Sequence, residues 1–165
     1  MLVTVKPVHS LVAGIMDGVG APMLLLPAGA SPHSYSLRPS DARKLARADL
    51  IVRVGPALEI FLAKPLANIA RRARVLTLMG GNSRDADPHI WLSPDEARNI
   101  VIRVAAALGR ADPDNAERYG ENARKTQARI DRLDAEIAAS LKPVRSLPYI
   151  VFHDGYRYFE RHYGL

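Results

Sequence analysis

The sequence predicts an α/β fold: a four-stranded parallel sheet lobe with flanking helices, a long linking helix, and the first βα unit of a second lobe. Three observations predict it. Short apolar segments alternate with segments of helical periodicity over residues 1 to about 110, the pattern of a parallel sheet covered by helices on both faces. A proline-free stretch follows from Asp114 to Leu141, and after Pro143 the strand–helix pattern restarts. The expected organisation is an N-terminal lobe over 1–111, a linking helix over 112–143, and the beginning of a truncated C-terminal lobe over 144–165.

The elements follow in order. Leu2 to Val5 reads as the first strand, stopped by Lys6-Pro7. Leu11, Val12, Ile15, Met16 and Val19 recur at helical spacing, giving a helix from Ser10 to Val19 before Gly20. Met23 to Leu26 is a second strand, followed by a loop rich in Gly, Ser and Pro from Pro27 to Pro39. Ser40-Asp41 caps a short helix reaching about Arg47. Leu50 to Val54 is a third strand, Leu58 to Ala70 a helix with a kink at Pro65, and Val75 to Leu78 a fourth strand. A loop from Gly80 to Trp91 leads into a helix from Pro94 to Leu108.

In the stretch from Asp114 to Leu141, the apolar positions Ala123, Ile130, Leu133, Ile137 and Leu141 leave a narrow stripe among charges. Such helices brace or bridge domains, although a fifth helix packed on one domain fits the pattern too. Tyr149 to Phe152 reads as a buried-type strand, His153-Asp154-Gly155 as its exit turn, and Tyr156 to Tyr163 as a helix. One βα unit is too small to form a core. The sequence therefore reads as truncated, with an unpaired apolar strand that invites self-association through the 144–165 segment.

Composition narrows the function. A hydrophobic share of 48% with 24% charged residues is that of a globular chain, not a disordered one. No apolar run is long enough for a membrane-spanning helix. The chain has no cysteine, which excludes disulfides, thiolate zinc sites and a cysteine nucleophile, so a metal here has nitrogen and oxygen ligands. The net charge of +6 raises the question of nucleic acid. The arginines are scattered, and the tight cluster Arg71, Arg72 and Arg74 reads as a solvated helix end, so no nucleic-acid partner is expected. Met1 and Leu2-Val3-Thr4-Val5 read as the start of a strand, not as a secretory leader.

Four of the five histidines share one topological place. His9 follows the first strand, His33 the second, His89 the fourth, and His153 closes the fifth. Ligands of open α/β sheets bind outside the carboxyl ends of the strands, and three or four imidazoles suit a tetrahedral zinc ion. Spacing alone leaves solvated or capping roles open for each. His33 sits in Ser31-Pro32-His33-Ser34-Tyr35, His89 in Asp87-Pro88-His89-Ile90-Trp91-Leu92-Ser93-Pro94, and His153 in Val151-Phe152-His153-Asp154-Gly155-Tyr156.

These segments resemble those of the substrate-binding proteins of bacterial ABC transporters for zinc and manganese, in particular the periplasmic zinc-uptake, ZnuA-like branch. The resemblance runs over essentially the whole chain, including Lys6-Pro7, the His33 loop through Asp41, Ala48 to Pro56, Glu59 and the long helix. It implies two α/β lobes joined by one helix, with a Zn²⁺ ion between them. It implies His33, His89 and His153 as metal ligands, with any ligand from the remainder of the second lobe absent. It implies a non-enzymatic role: zinc captured in the periplasm and delivered to an ABC permease in the inner membrane.

The chain departs from that pattern in places. The loop Gly80 to Ala86 is short and holds no histidine, and Pro32 precedes His33 where some members have Glu. Three imidazoles favour zinc over manganese, which prefers oxygen donors. A zinc-dependent hydrolase with a three-histidine site is the alternative outside the family, and a manganese-binding transport protein or adhesin the alternative within it. Further candidates are Glu59, as a carboxylate orienting an imidazole, and His9, as a ligand or helix-start residue. Asp154 is expected to orient His153 or cap the next helix. Trp91 and Tyr35 are expected to pack around the site, and His162 to lie on the surface.

Overall fold

Alternation along the strands decides which residues face which helices. The computed structural model describes residues 1–80 and 87–165. Its sheet is parallel, in the order β2-β1-β3-β4, with β1 at Leu2–Val3, β2 at Met23–Leu24, β3 at Leu50–Arg53 and β4 at Arg74–Thr77. Leu2 pairs with both Met23 and Ile51, and Leu50 to Arg53 pair with Arg74 to Thr77. Backbone hydrogen bonds from Leu25 and Leu26 to Val3 and Thr4 continue the contact beyond the formal strand ends.

Val3, Val52 and Val54 point to one face and pack with α1 (Lys6–Ile15), α4 (Pro94–Ala111) and α5 (Ala116–Leu141). Leu2 and Ile51 point to the other and pack with Leu45 of α2 (Pro39–Ala46) and with Leu62 and Ala70 around α3 (Ala63–Asn68). Helices thus cover both faces, as expected. No described helix is long and apolar enough to cross a membrane.

Several boundaries differ from the sequence expectation, among them those at the prolines. Lys6-Pro7 opens α1 instead of merely ending the strand, because proline fits the first helical turn, where its missing N–H has no partner to lose. The helix ends at Ile15, four residues before Val19. Pro65 does not kink a helix from Leu58. It lies in the first turn of α3, after a 3-10 turn at Ile60–Leu62.

The long helix is present, entered through a 3-10 turn at Pro113–Asn115. Its first half is packed: Tyr119, Asn122, Ala123 and Thr126 are buried. The Asn122 amide donates to the carbonyls of Ile15 (3.0 Å) and Asp17 (2.8 Å), capping the end of α1. Tyr119 donates to Asp112 at 2.7 Å, and burial with that carboxylate alongside pushes its hydroxyl up to about 12.

The fifth strand does not form. Ile150 is 98% exposed and Phe152 104%, and the 149–152 backbone has no strand partner among the described residues. An apolar run becomes a strand only where a neighbour supplies N–H and C=O groups. The helix after it does form, as α6 (Arg157–Tyr163). Apart from Gly80, the short loop at 80–86 lies outside the described residues.

Candidate metal centre

The strand order reverses between β1 and β3, and the carboxyl ends of these strands open a crevice there. Glu59 lies at these strand ends. The side chain is fully buried, and its carboxylate accepts from Thr4 Oγ1 at 2.5 Å, Val54 N at 2.9 Å and Gly55 N at 2.8 Å. Burial pushes its pKa up, against the pull of these three donors. The expectation that Glu59 orients an imidazole is corrected. Its carboxylate instead binds the ends of β1 and β3 together, because both strands leave donors there that need an acceptor.

His33 stands on the loop between Pro27 and Pro39. The loop turns at Gly29, whose φ of +79° lies where side chains are disfavoured. Its far end is tied down by Asp41, which accepts from Tyr35 Oη at 2.7 Å and Arg38 N at 3.0 Å. Asp41 therefore caps α2 from inside the first turn, the helix starting at Pro39. Burial raises the Asp41 pKa, but the Tyr35 and Arg38 hydrogen bonds and Lys44 outweigh it and hold the carboxyl below its usual range. The Tyr35 ring lies edge-on to Phe61, with centroids 5.4 Å apart.

His89 is only 8% exposed and precedes the 3-10 turn Ile90–Leu92. Asp87 fixes it doubly, accepting from the His89 backbone N–H at 3.0 Å and from Nδ1 at 2.6 Å. With the proton on Nδ1, the Nε2 lone pair faces outward. Asp87 is the functional residue that the sequence reading missed, and the signal available was a carboxylate two residues before the histidine. Trp91 packs its ring 5.3 Å from that of His89, as expected of a residue surrounding the site.

His153 comes from the segment between α5 and α6. Its Nε2 lies 3.2 Å from Nε2 of His89, and its ring centroid lies 5.0 Å from that of His89 and 5.7 Å from that of His33. The His33 and His89 rings are 5.5 Å apart. One nitrogen from each of the three lies within 4.8 Å of the others. Nitrogens around a tetrahedral zinc at about 2.0–2.1 Å are separated by about 3.4 Å, so the donor set suits the ion after small closure. Burial, with the two neighbouring imidazoles, pushes the His33 pKa down, and neutral imidazole is the ligating form.

Gly155 lies against both rings. A Cβ there would stand 2.9 Å from His89 Nδ1, closer than real contacts allow, and 3.0 Å from His153 Cδ2, tighter than most. The requirement is for space between the backbone and the imidazoles.

Three further expectations are corrected. His9 is turned away and donates from Nε2 to the Pro22 carbonyl at 2.9 Å, because α1 starts early and places it on the helix. Asp154 is exposed and makes no side-chain hydrogen bond among the described residues. It neither orients His153 nor caps α6, whose N-cap is Tyr156. His162 is not a free surface residue: its Nε2 donates to Asp134 at 2.9 Å.

Fold and site together define an α/β protein with an imidazole cluster suited to a divalent ion. The chain belongs to the ZnuA family, described as the periplasmic component A of the zinc-uptake complex, whose family model matches residues 1–165. The high-affinity zinc uptake system protein ZnuA of Brucella abortus (strain 2308) is 32% identical over 216 aligned residues, covering 100% of this chain and 65% of the relative. A crystal structure of ZnuA superposes with a TM-score of 0.90 at 27% identity, over 99% of this chain and 67% of that one. The Zn(II)-bound ZnuA-like domain of Streptococcus pneumoniae AdcA gives 0.88 at 25% identity, over 99% and 63%. The chain thus spans about two thirds of the length of the proteins it matches.

Proposed function

We propose that this chain is the ion-capturing part of a zinc-binding protein serving an ABC importer in the periplasm. His33, His89 and His153 act as the ligands, and Zn²⁺ is cargo, not a catalytic group. The observation that carries this reading is the convergence of three imidazole nitrogens within 4.8 Å, in a chain matched end to end by the zinc-uptake family. In such a role no bond is made or broken in a substrate. The neutral rings donate lone pairs, Asp87 keeps the His89 proton on Nδ1, and bound ion is later handed to a permease in the inner membrane.

Three nitrogen donors favour zinc over manganese. A hydrolase would use the same ligands to acidify a bound water, and the family's transport role favours the carrier. Residues 1–111 serve as the N-terminal lobe, 112–143 as the linking helix and 144–165 as the start of a second lobe. The exposed Ile150 and Phe152 favour self-association through the last of these segments.

Isothermal titration with zinc at about pH 7.5 tests the reading, since ordinary imidazoles are mostly neutral there. The unaltered chain binds one ion, and His33→Ala, His89→Ala and His153→Ala each weaken binding. Undiminished binding in all three would refute it.

A further inference from the structure

Helix α6 is anchored at a place remote from the imidazoles, yet the segment leading into it carries one of them. Its anchor has a polar and an apolar part. His162 donates to Asp134 of α5 at 2.9 Å and lies 3.6 Å from an Asp95 oxygen of α4. Arg98 gathers these acids, donating to Asp95 at 2.7 Å, Asp131 at 2.6 Å and Asp134 at 2.8 Å. One guanidinium and one imidazole thus tie three helices together. Beside them Tyr163, 2% exposed, and Phe159 pack ring to ring with centroids 4.6 Å apart. They wall a cavity of about 360 Å³ shared with Leu11, Trp91, Ile130 and Ile137.

From this anchor, contacts lead back to the imidazoles by two routes. Trp91 lines the cavity with one part of its surface and lies against the His89 ring with another. Along the chain, seven residues before His162, Gly155 lies against the rings of His89 and His153. Tyr158 of α6 packs on the sheet-face core, where burial, with the Asp87 carboxylate nearby, pushes its hydroxyl up.

The geometry points to α6 as a latch for ion capture: the His162–Asp134 bond and the Phe159–Tyr163 pair hold the 153–156 segment against His89. His162 and Asp134 are thus positioning residues for the third imidazole. This inference rests on the zinc reading above. Coupling of this kind is reciprocal, so an ion that draws His153 toward His89 also tightens α6. Without the latch, the 153–156 segment has only Gly155 buried to hold it, and its rings must be ordered by the ion itself.

The test compares the unaltered chain with His162→Ala. Zinc affinity is read by competition with a chromophoric chelator, and backbone hydrogen exchange over 157–163 is followed with and without zinc. The latch predicts a Kd raised about tenfold by the loss of one charge-assisted hydrogen bond. It also predicts that zinc slows exchange across α6 in the unaltered chain. A helix that is merely structural would not respond to an ion held elsewhere. Should H162A fail to fold by circular dichroism, His162→Phe, which keeps a ring and removes the donor, is measured in its place.

A Kd change below about fivefold overturns the latch, given what one such bond contributes. Zinc-independent exchange over 157–163 overturns it equally. If His89→Ala abolishes binding while H162A does not weaken it, the latch alone fails. If the unaltered chain binds no zinc, the latch and the zinc reading fall together.

Discussion

The Nε2 atoms of His89 and His153 lie 3.2 Å apart although 64 residues separate them in the chain. His89 is seated by the turn after β4, and His153 by the approach to α6. With the His89 proton committed to Asp87, its Nε2 is an acceptor, and His153 fills it by hydrogen bonding. The same geometry that pairs two rings is a small displacement away from sharing an ion.

Removing the orienting carboxylate tests that arrangement. Asp87→Ala should raise the zinc Kd roughly 10–100-fold, the usual effect of losing the partner of a ligating imidazole. His89→Ala should cost more than D87A, because a ligand itself is lost. Chelator competition on both variants checks the order.

Gly155→Ala should weaken zinc binding while leaving the lobe folded. The new methyl meets His89 Nδ1 at 2.9 Å and must displace either the ring or the 153–156 segment. Roughly tenfold in Kd, with far-ultraviolet dichroism unchanged, is the expected outcome, since a ligand shift of a few tenths of an ångström exceeds what zinc tolerates.

Zinc affinity should fall as pH drops through about 6.5, where ordinary imidazoles gain the proton that blocks ligation. His33 resists this: burial and its two neighbours lower its pKa, so at a given acid pH a smaller fraction of it is protonated. Its contribution persists to lower pH than an ordinary imidazole's would. Titrations at stepwise lower pH should show binding declining, with protons released on zinc addition in the acid range.

Glu59→Ala should destabilise the fold by about 3 kcal/mol, by stranding buried backbone donors and opening a cavity. The donors concerned are Val54 and Gly55. Urea unfolding of the zinc-free chain measures this. The loss should appear with or without zinc, because Glu59's hydrogen bonds go to Thr4, Val54 and Gly55 and not to an imidazole.

The self-association proposed for the 144–165 segment should be abolished by Ile150→Asp with Phe152→Asp, since these side chains are fully exposed there. Light scattering at about 0.1 mM, within the range where exposed apolar segments associate, compares the double variant with the unaltered chain.

The sheet and its helices were legible because each strand's alternation and each helix's periodicity record burial locally. Val3 and Leu2 face opposite layers as two-residue periodicity requires. The three imidazoles were legible through their flanking motifs and the family resemblance, since their spacing alone carries little. Burial patterns say nothing of partners, and this is where the reading ran short. Tyr149 to Phe152 has a strand's composition without a neighbouring strand among the described residues. Glu59 reads as a carboxylate orienting an imidazole, yet its donors are Thr4 and the backbone of Val54 and Gly55 just past β3, which only the folded register brings together. His162 finds its acceptor on a helix 28 positions away, a pairing no local pattern encodes.

The amide of Asn122 grips the end of α1 through two carbonyls, so α5 is set at one angle about its own axis as well as packed. Twenty-six helical residues make a rod of about 39 Å. From Asn122 to Leu141 the lever is about 28 Å, so a tilt of about two degrees at the grip swings the far end by about 1 Å. Apolar side chains slide over one another with little penalty, whereas a donor fork on two fixed oxygens does not. The key at Asn122 therefore sets the aim of everything the rod carries.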